Sequence, residues 1–324
     1  MIMAACLRSV FLLLVALLIL AVDLTPGDRI SAGDPPEPDT SWKYPPDMPG
    51  SRIEIYKRVA DVSLNAYIFE PQGHVADDGR PAIVFFFGGG WRGGTPGQFL
   101  PHCQHLAERG MVAISVDYRV KSRQNAWPQD CLEDAKSAIR WTRKNAKRLG
   151  IDPSRIAAGG GSAGGHLAAA TAIIDGFERD SEDTSVSSSP NAMVLFNPAV
   201  ALTQVDGLKL VPEDKVEDIK ARTQGHPEEI APINHVREDL PPSIIFHGTS
   251  DPTVLFASVK EFAKRMITAG NRCELMPHKD QIHGFFNAGR GKGEARAKAN
   301  SNYHKTIIQL DAFLDSLGYL ETRR

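Results

Sequence analysis

Ser162 lies in the run Gly159-Gly160-Gly161-Ser162-Ala163-Gly164-Gly165, where each neighbour carries a methyl group or no side chain. A serine hydroxyl is a weak nucleophile until a histidine takes its proton and a carboxylate orients that histidine. The G-x-S-x-G spacing adds a geometric expectation. A serine lifted onto a sharp strand-to-helix turn projects its hydroxyl, and only small neighbours tolerate such a turn. The flanks fit, with a short strand expected over 155–158 and a small-residue helix over 166–174. A helix starting there would aim unpaired N–H groups at developing negative charge.

The same run also satisfies G-x-G-x-x-G through Gly159, Gly161 and Gly164. A dinucleotide fingerprint of that kind expects an acidic residue about 20 positions on, at the end of the next strand. Here the chain enters a polar, serine-rich stretch over 175–189 instead. The expected chemistry therefore calls for no cofactor and no metal.

In the strand-turn-helix context the partners follow in the order serine, acid, histidine. An apolar strand over 243–246 leads into His247-Gly248-Thr249-Ser250-Asp251-Pro252, which puts Asp251 in a turn at a strand's carboxyl end. The last expected strand, 272–276, is followed by a loop holding His283-Gly284-Phe285. Ten histidines compete for the base. His247 precedes the acid, His278 follows Pro277 almost on the strand, His166 opens the helix behind Ser162, and His102 and His105 ride another helix. His283 is the base these positions select, with Asp251 as its acid; Asp280 comes too late in the chain.

The attack leaves a negative oxygen that needs donors already in place. Phe87-Gly88-Gly89-Gly90-Trp91 follows an apolar run over 82–87, and its glycines let backbone N–H groups approach closely. Ala163, next after the nucleophile, offers another donor. Trp91 is placed to touch substrate.

The elements that must position these groups alternate. Strands are expected at 52–56, 64–70, 82–87, 111–116, 155–158, 192–196, 243–246 and 272–276. Helices are expected at 99–109, 130–149, 166–174, 256–269 and 303–317. Such alternation predicts an α/β fold with a mostly parallel sheet covered on both faces. Residues 200–240 carry charges and prolines without strand pattern, and read as a small insertion after the sixth strand able to form a lid.

The chain of 324 residues suffices for one large α/β domain, expected from 52 onward. A net charge of −2 provides no field for nucleic acid. The basic cluster Arg140, Arg143, Lys144, Lys147 and Arg148 reads as a solvated helix face. Residues 1–22 combine Arg8 with an uncharged apolar run too short for a comfortable span. They read as a signal peptide or an N-terminal anchor, so export is expected and membrane contact only through an uncleaved leader. Residues 23–51 read as a Pro-rich linker. Cys103, Cys131 and Cys273 lack metal-ligand spacing, and buried thiols are expected among them.

Taken together, these residues resemble the α/β-hydrolase superfamily, in the esterase/lipase group that includes hormone-sensitive-lipase-like and bacterial feruloyl- and acetyl-esterase-like enzymes. The likeness spans about 52–318. It rests on 88–91, Asp117-Tyr118-Arg119, the Gly150-Ile151-Asp152-Pro153 turn, the elbow, Pro232-Ile233-Asn234-His235-Val236, 247–251 and 283–285. It implies a serine carboxylic-ester hydrolase forming an acyl-enzyme on short acyl or carbohydrate-linked esters, acetyl or feruloyl. It also implies Gly89, Gly90 and Ala163 as oxyanion donors, with Asp117, Asp134 and Arg119 as framework. One departure stands out, since Phe87 occupies the position where the family usually carries histidine. An amidase or exopeptidase on the same triad, or a non-catalytic binding protein that kept the fold, are the rival readings.

Overall fold

The computed structural model describes residues 43–289 and 292–320. The leader expected over 1–22 and the linker over 23–42 lie outside the described residues. The end of the expected linker is packed: Met48 is buried and the Tyr44 hydroxyl donates to Asp117 at 3.0 Å.

Eight strands form one sheet: β1 (Arg52–Val59), β2 (Val62–Phe69), β3 (Arg80–Phe86), β4 (Val112–Val116), β5 (Ile151–Gly161), β6 (Ala192–Phe196), β7 (Ser243–Gly248) and β8 (Cys273–His278). Their order is β1-β2-β4-β3-β5-β6-β7-β8. The β1/β2 and β2/β4 pairs are antiparallel, and every later pair is parallel. Helices α1 (Leu100–Glu108), α2 (Lys121–Gln124), α3 (Pro128–Lys144), α4 (Ala163–Ile173), α5 (Val216–Arg222), α6 (Phe256–Thr268) and α7 (Glu294–Ser316) connect or cover the strands.

The continuous apolar runs are explained by burial on both faces. Along β3, Ala82, Val84 and Phe86 join one core layer, while Ile83 and Phe85 join the other. The first layer takes in residues of α3, α4 and α6, the second residues of α1 and α7. Among the described residues Cys103, Cys131 and Cys273 are free and buried.

Some boundaries differ from expectation. Helix α3 stops at Lys144 rather than 149, and the chain turns down to Gly150 at φ +63°. Strand β5 starts at Ile151 because Arg80 reaches it across a register shift. Helix α7 begins at Glu294, where a polar first stretch had given no apolar period. The basic face of α3 is also not simply solvated. Arg140 is buried, pairs with Glu182 and donates to the Val186 carbonyl, so it pins the 175–189 loop.

After β3 the chain lays β4 on one side and β5 on the other. Such a reversal opens a crevice beyond the carboxyl ends of the strands, where ligands of open α/β sheets bind. The glycine loop leaves β3 there and the serine leaves β5.

Candidate active site

Ser162 has φ +56° and ψ −118°, a strained conformation for a side chain with a Cβ. Its N–H donates to the Phe196 carbonyl at 2.8 Å, and its own carbonyl accepts from His166 N–H at 2.9 Å, which starts α4. The surrounding glycines are needed sterically. A Cβ on Gly164 would overlap the Phe86 and Phe87 carbonyl oxygens, and one on Gly161 would strike the Phe286 ring.

The structure brings three predicted side chains into one line. His283 Nε2 lies 3.0 Å from Ser162 Oγ, and His283 Nδ1 lies 2.7 Å from Asp251 Oδ2. They arrive from the ends of β5, β7 and β8. Asp251 is buried, and its Oδ1 accepts the N–H groups of Thr253 and Val254 at 2.8 and 3.0 Å. Asn197 Nδ2 donates to Oδ2 at 3.0 Å. Burial by itself would raise the Asp251 pKa. The hydrogen bond and charge of His283, with the two N–H groups, outweigh it and leave the carboxyl below its ordinary value. An ionised Asp251 accepts from Nδ1–H, so Nε2 is left to accept the serine proton.

The other histidines have other partners, although His247 Nε2 also lies 3.5 Å from Asp251 Oδ2. His247 is buried with Nε2 2.9 Å from the Val254 carbonyl, and burial pushes its pKa down to about 4. His166 donates to the Ile230 carbonyl at 2.6 Å and is lowered to about 4 by burial, so it ties the insertion to α4 as a neutral ring. His102 sits among Phe85, Phe99, Phe196 and Tyr303, pushed down to about 3 by burial. His105 reaches Asp311 and His278 reaches Gln309. Asp280 occupies the turn after β8 with φ +59°.

In the glycine loop, Gly89, Gly90 and Trp91 all have positive φ, at +131°, +61° and +60°. A Cβ on Gly89 would overlap the Gly93 carbonyl. Gly88 N–H is occupied, donating to Gln98 Oε1 at 2.6 Å. The N–H groups of Gly89, Gly90 and Ala163 have no partner among the described residues. Phe87, in the family's histidine position, stacks on Tyr118 with ring centres 4.1 Å apart, and the Tyr118 hydroxyl donates to the Phe87 carbonyl at 2.7 Å. Asp134, buried, receives Arg119 and Lys57, as expected of framework.

Beside Ser162 opens an apolar cavity of about 140 Å³, lined by Trp91, Leu202, Leu210, Val211, Ile219 and Val254 among others. Part of this wall comes from the insertion, whose helix α5 is fastened over it. Arg222 pairs with Asp218 and reaches the Gly90 carbonyl at 3.4 Å, while Arg92 binds Asp218 at 2.6 Å. Trp91 is buried, edge-on to His166. Gln98, Asn197 and Asn287 surround the site and carried no motif in the sequence.

The BD-FAE family profile matches residues 68–266. Carboxylesterase NlhH of Mycobacterium tuberculosis is 29% identical over 269 residues, 76% of this chain and 79% of its own. The probable carboxylic ester hydrolase LipM of the same organism is 30% identical over 200 residues, 57% of this chain and 44% of its own. The matched stretch thus spans about half of LipM. Among solved structures, esterase 2 of the planctomycete Thermogutta terrifontis phosphonylated by sarin is 48% identical, with a TM-score of 0.81 over 87% of this chain and 100% of that one. Its butyrate-bound form is 49% identical with a TM-score of 0.80, over 87% and 100%.

Proposed function

The chain belongs to the BD-FAE family and, over the domain it shares with solved esterases, is a carboxylic ester hydrolase; we propose that it works through an acyl-enzyme on Ser162 and prefers short acyl groups. The observation that carries the mechanism is the line Ser162–His283–Asp251, with both links at hydrogen-bond length.

His283 Nε2 takes the Ser162 proton as Oγ attacks the ester carbonyl. Asp251 keeps the ring in the Nδ1–H tautomer and stabilises its cation. The carbonyl oxygen, now negative, is received by the N–H groups of Gly89, Gly90 and Ala163. As the intermediate collapses, the C–O bond to the alcohol breaks and His283 hands its proton to the departing oxygen. Water then repeats the attack on the acyl-enzyme with His283 as base, releasing the acid and restoring Ser162.

The acyl preference is supported by cavity size. An apolar cavity of roughly 150 Å³ holds a benzene-sized guest, close to the volume beside Ser162. Acetyl to butyryl chains fill that space, whereas a feruloyl group, with its ring beyond a three-carbon spacer, would have to extend past it. The butyrate-bound relative supports the same reading by likeness. Carbohydrate as the alcohol, and export by the 1–22 leader, rest on sequence resemblance and pattern and belong to the same proposal. Trp91 walls the cavity and would meet the acyl chain.

A p-nitrophenyl ester series tests the preference. The expected kcat/KM peaks between acetate and butyrate and falls by about tenfold or more at octanoate. An optimum at octanoate or longer contradicts it. Acetylated against feruloylated oligosaccharides, and the N-terminus of the mature protein, test the remaining parts.

A further inference from the structure

The oxyanion loop follows β3 and the histidine loop follows β8, four strands away in the sheet. Only the site itself requires them to keep register. One side chain touches both. Gln98 Oε1 accepts the Gly88 N–H at 2.6 Å, and Gln98 Nε2 donates to Asn287 Oδ1 at 2.9 Å. Asn287 Nδ2 in turn donates at 2.8 Å to the carbonyl of Gly284, the residue after His283. On its other side Gly284 N–H donates to Asn197 Oδ1 at 3.3 Å, and Asn197 Nδ2 reaches Asp251. Three carboxamides therefore run in series from the oxyanion loop to the acid of the triad. Their orientations are dictated: Gly88 N–H demands an oxygen, so Gln98 must present its NH₂ to Asn287, and so on along the series. The residues next in sequence to Gln98 and Asn287 meet as well: Phe99 and Phe286 stack with ring centres 6.0 Å apart.

We propose that Gln98 and Asn287, continued by Asn197, are positioning residues that set the Gly89 and Gly90 donors against His283. The proposal rests on the esterase reading above. Gly89 and Gly90 have positive φ and no side chains of their own, so the loop is held through its backbone, and Gln98 holds it at Gly88, next to the donors. A displacement of about 1 Å in such a site costs up to about 10²-fold in rate.

The test uses full-length enzyme on p-nitrophenyl butyrate, with rates taken per site titrated by a fluorophosphonate. Gln98→Met keeps the length and removes both bonds. The expected result is a fall of about 10- to 100-fold in kcat with KM within about threefold, because donors poised for the transition state are displaced. Inhibition by a butyryl trifluoromethyl ketone should weaken in step with kcat/KM. Asn287→Leu should act similarly. The double variant should lose little more than the worse single, since either change opens the same series. Gln98→Glu, which keeps the acceptor for Gly88, should recover part of the kcat, and it carries the test if Gln98→Met fails to fold. The proposal is overturned if titrated Gln98→Met or Gln98→Glu retains wild-type kcat, or if the single losses multiply in the double. A wild-type enzyme with no turnover and no titration would instead sink the esterase reading.

Discussion

In the elbow, Gly160 and Gly164 are required by backbone that an added Cβ would strike; in the oxyanion loop, Gly90 faces a side chain arriving from elsewhere. An added Cβ on Gly160 or Gly164 would overlap backbone carbonyl oxygens at the end of β3 and in α4's first turn. Around Gly90, an added Cβ meets only Arg222 Nη1 at 3.0 Å. That loop keeps its form through Gln98, through the Tyr118 hydroxyl on the Phe87 carbonyl, and through Arg123, which donates to the Gly94 carbonyl at 2.8 Å. The nucleophile and its neighbour Ala163 are thus placed by packing, while the Gly90 donor depends more on hydrogen bonds that could be cut one at a time.

The comparison predicts different responses to the same substitution. Gly164→Ala should cost about 3 kcal/mol or more in stability and remove activity together; a denaturant midpoint near wild type would break the contrast. Gly90→Ala should separate the two effects. Local strain at φ +61° costs roughly 1–2 kcal/mol, while displacing one donor should lower kcat about 10²-fold. Equal losses from both variants would mean that the runs are held alike.

Asp117 sharpens the comparison through pH. Burial lifts its carboxyl to about 6, against the lowering effects of Arg123 and Tyr44. A folded-state pKa above the unfolded one means that the native state holds the proton more tightly. The stability it lends is full below about 4 and is lost as pH rises through about 6. Asp117→Asn should therefore be more stable than wild type at pH 8, by about 1–3 kcal/mol, with the advantage gone at pH 4. A constant difference between those pH values in thermal melts would refute the assignment. Tyr118→Phe is the mildest cut, expected to cost about 1 kcal/mol and a few-fold in kcat.

These differences also explain what the sequence disclosed. Strands buried on both faces appear as apolar runs, so the central ones could be placed from that signal, and the elbow shows itself because sterics force glycine into a recognisable string. Asp251 and His283 were readable because each follows a strand end at the expected place in the chain. Gln98, Asn197 and Asn287 were not, since a carboxamide bridging segments nearly 190 residues apart (Gln98 to Asn287, 189 positions) leaves no local pattern. Arg140 was misread as solvated for a similar reason. Its partners Glu182 and Val186 lie in a loop whose path only the fold reveals. The first turns of α7 and the bracing of Phe87 by Tyr118 likewise depend on neighbours distant in sequence.

The most direct test of the central claim is to treat the enzyme with a fluorophosphonate and map the adduct by mass spectrometry, beside butyrate-ester turnover. One adduct per chain is expected, on the peptide containing Ser162, absent from Ser162→Ala, whose turnover should fall at least about 10³-fold. Labelling at another residue, or a Ser162→Ala protein that still turns over at near the wild-type rate, would contradict it.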